Sequence, residues 1–255
     1  LNMVVNPFAA LLALQAENTS EICEKHNIPK IRIFRSGNIV CSACESEKIG
    51  AENQKLVDDF AVADKENKRQ FYLNKFSLFD EVLANATLDN FDTPTTAEAQ
   101  KLSAAEGFCS EWIDGKRNNI IFVGNPGTGK SHLAFGIIKR ASEMTKEFAI
   151  FMNVADLFSI LKKDFSQEFY ILEQISKAKF LVLDDLGMEN NTEWTYRVLY
   201  SILNNRSNTL VTTNMSADKI EERYGRPFLD RIMKGVDKEH VLKFEDLKSK
   251  RRVYF

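Results

Sequence analysis

Ile120-Ile-Phe-Val-Gly-Asn-Pro-Gly-Thr-Gly-Lys-Ser131 decides how the rest of the chain is read. Four apolar residues run into a G-x-x-x-x-G-K-S loop, and His132 through Arg140 continue as a helix. A bound phosphate demands this spacing. Glycines let the backbone curl so that successive N–H groups face one anion, and the positive N-terminal end of the following helix adds to the attraction. Gly124, Asn125, Pro126, Gly127, Thr128, Gly129, Lys130 and Ser131 are therefore the expected cradle for a nucleoside triphosphate. Lys130 is expected to reach the β- and γ-phosphates, and the Ser131 hydroxyl to ligate Mg²⁺.

Working outward, short apolar runs recur at Phe148–Met152, Phe180–Leu183, Thr209–Thr213 and Val241–Phe244. The runs at 120–123 and 180–183 are apolar throughout, as strands covered on both faces of a parallel sheet tend to be. Amphipathic segments over 131–145, 155–164, 167–177, 192–206 and 216–235 lie between them. Strands alternating with helices predict βαβ units and a three-layer α/β domain with a five-stranded parallel sheet.

Phe180-Leu-Val-Leu-Asp-Asp-Leu-Gly187 puts two carboxylates at the C-terminal end of a buried strand, where open α/β sheets carry their sites. Asp184 is expected to hold the Mg²⁺ ion with Ser131, and Asp185 to orient or deprotonate the attacking water. An aspartate there has a shorter reach than a glutamate. Leu210-Val-Thr-Thr-Asn214 also ends in a polar side chain; beside a phosphate loop, Asn214 is expected to sense the γ-phosphate or the water. Arg231, in Arg226-Pro-Phe-Leu-Asp-Arg231, falls on a helical segment. A helical arginine is ordinarily solvated or salt-bridged, and residue chemistry by itself favours that for Arg231. His132 and Cys109 read as packing residues.

The remainder of the 255 residues differs in texture. Residues 48–118 are polar, with apolar side chains at helical spacing (Leu56, Phe60, Ala63) and a second helical stretch over Ala97–Ile113. Near the start, Cys23-x-x-His26 and Cys41-x-x-Cys44 form two short-spaced pairs separated by fourteen residues. Such pairs on facing turns close a tetrahedral zinc site, and a closed set of four ligands implies structure rather than catalysis. Ile31–Val40 between them reads as a hairpin turning at Ser36-Gly-Asn38.

The 34 basic and 36 acidic side chains nearly cancel, which excludes a polybasic mode of nucleic-acid binding. Short basic groups at Lys162-Lys163, Lys177/Lys179 and Lys248–Arg252 become a phosphate-tracking surface only if folding clusters them. No stretch reaches the roughly 18 apolar residues that span a bilayer, so no membrane partner is expected. The apolar segment Phe8–Leu14 lacks a basic front and reads as a docking helix. Clustered thiols without an export signal point to a reducing, cytoplasmic setting.

Gly124–Ser131, Leu183-Asp-Asp-Leu-Gly187, Val211-Thr-Thr-Asn214 and Arg231 together resemble the AAA+ ATPases of the DnaC/DnaI helicase-loader group. The likeness extends to Thr87-Leu-Asp-Asn-Phe-Asp92 ahead of the phosphate loop and to the zinc-ribbon-like Cys23/His26/Cys41/Cys44 set. It implies an N-terminal zinc-binding and helical region over 1–75 that grips a replicative hexameric helicase, and an AAA+ ATPase over 76–255. The activity implied is ATP hydrolysis, slow and stimulated by DNA, during placement of the helicase on single-stranded DNA in replication initiation. It further implies self-assembly side by side, with Arg231 reaching a neighbour's nucleotide. Arg251 is the best candidate for a second sensor, and Arg226 a further interface residue. A helper ATPase for transposition shares the core but usually lacks the zinc-ribbon front. A small-molecule P-loop kinase needs an arginine-rich lid insertion that this sequence lacks. A non-hydrolysing adaptor has no use for the intact set Lys130, Ser131, Asp184 and Asp185.

Overall fold

The computed structural model describes residues 16–79, 81–204 and 206–250. The segment 8–14 and Arg251 lie outside them. Two compact units divide at Asp64/Lys65.

The smaller unit contains an antiparallel sheet of β1 (Ala16–Ile22), β2 (Pro29–Ile33) and β3 (Ile39–Val40), followed by the start of helix α1 (Ser42–Phe76). The expected hairpin is β2–β3, turning at Gly37 with φ +72°. Strand β1 is an addition to the sequence reading. Leu56 and Phe60, at helical spacing on α1, are exposed. The division falls within α1, eleven residues ahead of the boundary expected at 75/76. The last turns of that helix belong with the larger unit because Arg69 and Leu73 are buried there, with Arg69 Nη1 donating to Ser142 Oγ at 3.2 Å.

The larger unit is built on a five-stranded parallel sheet of β4 (Ile120–Val123), β5 (Ala149–Asn153), β6 (Phe180–Leu186), β7 (Thr209–Thr213) and β8 (Val241–Lys243). The strand order is β5-β6-β7-β4-β8. Alternation along each strand feeds two cores. Ile120, Phe122, Phe151, Phe180, Val182 and Leu210 point to one face, under α3 (Thr96–Ile113) and α4 (Lys130–Thr145). Ile121, Ile150, Leu181, Leu183 and Val211 point to the other. That face is covered by α5 (Val154–Lys163), α6 (Glu168–Lys177), α7 (Glu193–Asn204), α8 (Ala217–Tyr224) and α9 (Arg226–Ile232). Burial on both faces is why the strands read as apolar runs. A four-residue helix, α2 (Glu81–Ala84), precedes the Thr87–Asp92 segment. Thr95 and Glu98 form a reciprocal capping box that starts α3.

The single helix expected over 216–235 is two. Gly225, with φ +84°, closes α8 by donating its N–H to Glu221 O, and Pro227 opens α9, where a missing N–H is harmless. Among the described residues, no helix is long and apolar enough to cross a membrane.

Candidate nucleotide site and cysteine–histidine cluster

Strand β4 delivers the chain into a loop that bends at Gly124, Gly127 and Gly129, with φ of +145°, +77° and +95°. A Cβ at Gly124 would stand 2.8 Å from the Phe244 carbonyl carbon, so only glycine lets the loop pass the end of β8. Lys130 opens α4 and is 4% exposed. Its Nζ donates to Gly124 O at 2.8 Å, Asn125 O at 2.7 Å and Asn214 Oδ1 at 2.9 Å. Thus the ammonium lies folded against the loop's own carbonyls, and the residue at the end of β7 touches it. Thr128 Oγ1 donates to Asn125 O at 2.9 Å and ties the loop's middle.

Beside this loop, β6 ends in Asp184 and Asp185. Pairing advances from Leu183/Val211 to Leu186/Thr213, so β6 carries one extra residue there, a bulge beside the cavity. Thr212 of β7 holds it from both sides. Its Oγ1 donates to Asp184 Oδ1 at 2.6 Å and accepts the Asp185 N–H at 2.9 Å. Asp185 thereby takes a left-handed backbone, φ +56°, and turns toward the cavity. Burial drives the Asp184 carboxyl up to about 6, against hydrogen bonds from Thr212 and Ser131 that favour its charged form. The cavity, about 350 Å³, is lined by loop residues Pro126, Gly127, Gly129, Lys130 and Ser131 together with Asp185 and Asn214. Five of the predicted residues (Lys130, Ser131, Asp184, Asp185, Asn214) are thus gathered at one strand-end cleft. Arg231 is elsewhere: its guanidinium lies over the Tyr200 ring at 5.8 Å. Arg226 is on the surface, paired with Asp230 at 3.0 Å and Glu221 at 3.3 Å.

Three participants escaped the sequence reading. Thr212 looked like any strand threonine. Phe91 presses on the loop so closely that a Cβ at Gly129 would meet its Cε2 at 2.6 Å. Lys250 donates its N–H to Gly127 O at 2.7 Å and holds its ammonium 4.1 Å above the Phe91 ring. His132 packs edge-on against Phe91 and places Nε2 2.9 Å from both Thr87 O and Asn90 Oδ1, joining α4 to the Thr87–Asp92 segment. Its burial lowers its pKa. Cys109 is buried between α3 and α4.

In the smaller unit, Cys23 follows β1, His26 stands in the β1–β2 turn, Cys41 follows β3 and Cys44 lies in the first turn of α1. Backbone bonds Asn27 N–H to Cys23 O (2.8 Å) and Glu45 N–H to Cys41 O (3.0 Å) fold each pair into a knuckle. His26 Nδ1 is 3.7, 3.6 and 3.3 Å from the sulfurs of Cys23, Cys41 and Cys44, and Cys23 Sγ is 3.7 Å from Cys44 Sγ. A zinc tetrahedron with Zn–S near 2.3 Å and Zn–N near 2.0 Å has edges of about 3.5–3.8 Å. The donor set fits. Glu47 Oε1 lies 3.0 Å from His26 Nε2, the orientation a carboxylate gives a metal-ligating imidazole. Glu47 and the neighbouring thiols push the imidazole up to about 9, and burial pushes the Cys44 thiol up to about 11.

A parallel sheet with the phosphate loop on a central strand, acidic residues on the next strand but one and a polar tip between them defines an ATP-binding protein of the AAA+ class. The chain belongs to the family of IstB-like ATP binding proteins, whose family profile matches residues 43–248. It is similar to the replicative helicase loader DnaC of Escherichia coli (strain K12), 28% identical over 159 residues. That match spans 59% of this chain and 64% of the loader, less than two thirds of its length. A crystal structure of the DnaC helicase loader superposes with TM-score 0.57 and 25% identity, covering 65% of this chain and 100% of that one. The crystal structure of DnaI gives TM-score 0.56 at 23% identity, over 69% and 95% of the two chains, a likeness of fold.

Proposed function

We propose that this protein is an ATP-hydrolysing loader that holds a replicative hexameric helicase and helps place it on single-stranded DNA. The observation that carries the reading is its homology to the DnaC loaders, in sequence and in fold. The cysteine–histidine cluster ahead of the ATPase favours it over a transposition helper built on the same core.

The nucleotide chemistry follows from the cleft. Phosphate oxygens compete with Gly124 O and Asn125 O for the Lys130 ammonium, and a charged acceptor wins over a neutral one. Because Lys130 also touches Asn214, that exchange is felt at the end of β7, which gives Asn214 its sensing role. Ser131 and Asp184 would hold Mg²⁺, which would supply charge neutralisation at the phosphoryl group. Asp185, turned into the cavity by the bulge, orients the attacking water and accepts its proton. Arg231 stabilises the transition state in the adjacent subunit. Cys23, His26, Cys41 and Cys44 hold a structural Zn²⁺ in the region, residues 1–75, that grips the helicase. For single-stranded DNA the supporting surface lies where α5 meets α6. Lys162 and Lys163 end α5, and Phe165 and Phe169 follow at 61% and 80% exposure, the combination of charge and open aromatic faces that stacks bases. All of this is the work of a cytoplasmic replication protein.

The deciding test is ATP turnover with and without single-stranded DNA, paired with capture of a purified replicative helicase. Stimulation and capture together are expected. Stimulation without capture transfers the assignment to a transposition helper, and indifference to both removes the loader reading.

A further inference from the structure

The loop after the acidic strand end is tied down by a buried carboxylate that none of the steps above uses. Glu189 follows Gly187 by two residues, and its side chain is 0% exposed. Its Oε2 accepts the Gly187 N–H at 3.0 Å. Its Oε1 accepts from Arg223 Nη2 at 3.2 Å and from the Tyr224 hydroxyl. Arg223 also donates to the Glu189 carbonyl, and Asn191 Nδ2 reaches Arg223 O at 3.2 Å. The loop held this way begins just after Asp185, and its Met188 joins Asp185 in the lining of the nucleotide cavity. Its anchors, Arg223 and Tyr224, form the last turn of α8.

From that anchor an aromatic line runs to Arg231. Tyr224 stacks on Phe228 at 4.5 Å, Phe228 meets Tyr196 at 6.0 Å, and Tyr196 stacks on Tyr200 at 5.7 Å. The Tyr200 ring carries the Arg231 guanidinium, with its hydroxyl 3.5 Å from Nη2. Among the described residues, two buried side-chain polar atoms have no hydrogen-bond partner: Arg223 Nε and Arg231 Nε, one at each end of this line. The stacked rings are stiff bodies in a close-packed interior, and a shift at one end is carried to the other rather than absorbed.

We infer that Glu189 is a positioning residue that joins the loop beside one chain's nucleotide to the helix pair α8–α9, and so sets where Arg231 meets the neighbouring subunit. The inference rests on the arginine-finger reading of Arg231 given above. Removing the charge of Glu189 leaves the half-buried Arg223 without its counter-ion and frees α8 to shift, with α9 and Arg231 following.

The test separates the two ideas by making one chain only a donor. Full-length Lys130→Ala chains, unable to use their own nucleotide, are mixed in excess with wild-type chains in the presence of single-stranded DNA. Turnover by the wild-type chains then depends on the arginine supplied by the donors. Adding Glu189→Gln to the donor is expected to lower that turnover about ten- to a hundred-fold, the scale of a misplacement near 1 Å. KM for ATP on the wild-type chains is expected to stay unchanged. Adding Arg231→Ala to the donor is the reference. If Arg231→Ala lowers turnover and Glu189→Gln does not, Glu189 serves only its own loop and the inference is overturned while the finger stands. If Arg231→Ala has no effect, the finger reading fails and takes the inference with it. Tyr224→Phe keeps the ring stack and deletes only the hydroxyl on Glu189. It serves as the second donor variant should Glu189→Gln lower the folded yield, with a smaller loss in the same direction expected and unchanged turnover overturning the inference.

Discussion

The phosphate loop and the cysteine–histidine cluster each bring their donors to one point, but they are held there by different forces. The phosphate loop rests on a sheet buried on both faces, with Phe122, Leu133, Ile137 and Leu183 fully enclosed around it. Its shape is set by the core beneath it. The smaller unit has no comparable interior: among its described residues, 16–64, only Cys23 and Cys41 are buried, and both are cluster donors. Three short strands without an apolar interior cannot offset their own ordering entropy, and small domains of this kind need a metal or disulfides. One site is positioned by packing, the other by the ion it would bind.

That contrast is sharpest under chelation. Stripping metal from the full chain, or replacing Cys41→Ser, is expected to unfold the β1–β3 unit, because structural zinc supplies about 10–16 kcal/mol of apparent binding energy in small zinc modules. Metal analysis of the untreated chain should return about one zinc, and nucleotide affinity should survive its removal. A metal-free chain whose residues 16–40 stay protected from hydrogen exchange breaks the comparison from the N-terminal side.

The reciprocal change is Lys130→Ala. We expect ATP affinity to fall by about a hundredfold, as for loss of a charge-assisted contact of roughly 2–3 kcal/mol, with zinc content and helicase capture intact. Equilibrium binding of a fluorescent ATP analogue reads this directly, and undiminished affinity removes the phosphate-loop assignment.

A smaller effect is expected from Glu47→Gln, which keeps a hydrogen-bond acceptor near His26 Nε2 but removes the charge. Loss of an outer carboxylate weakens metal affinity by about ten- to a hundred-fold. Competition with a zinc chelator measures it, and an unchanged affinity reduces Glu47 to a surface partner of Lys25.

The smallest effect is on stability. The Asp184 carboxyl stands near 6 instead of its ordinary 3.8, so the folded chain keeps a proton that the unfolded chain has released. Stability therefore falls as pH rises from about 4 to 6 and the deficit is complete above 6. Asp184→Asn is expected to raise the stability of nucleotide-free protein at pH 7.5 by at most about 3 kcal/mol, less what the Thr212 hydrogen bond to the charged carboxylate contributed, while abolishing turnover. The gain should vanish as pH drops toward 4, because both carboxyl and amide are then neutral. Thermal melts across that range check it, and a variant less stable at pH 7.5 would show that the Thr212 bond outweighs the burial of charge.

What the sequence determined by itself was the local chemistry. A phosphate cradle must be made of consecutive backbone groups, so residues 124–131 carry their own signature. Strands buried on both faces favour apolar side chains, and the runs Ile120–Val123 and Phe180–Leu183 exposed β4 and β6. Knuckles need two donors a turn apart, so Cys23/His26 and Cys41/Cys44 were visible as pairs. Only the tertiary structure decided what those pieces do to one another. Thr212 grips Asp184 and Asp185 because β7 lies against β6 and a bulge offsets their registers. Phe91 and Lys250 close on the phosphate loop from opposite ends of the larger unit. Glu189 finds Arg223 and Tyr224 across more than thirty residues of chain. Contacts such as these depend on strand order and side-chain direction. Neither leaves a spacing in the sequence, because the partners share no helical turn or strand that would fix their separation.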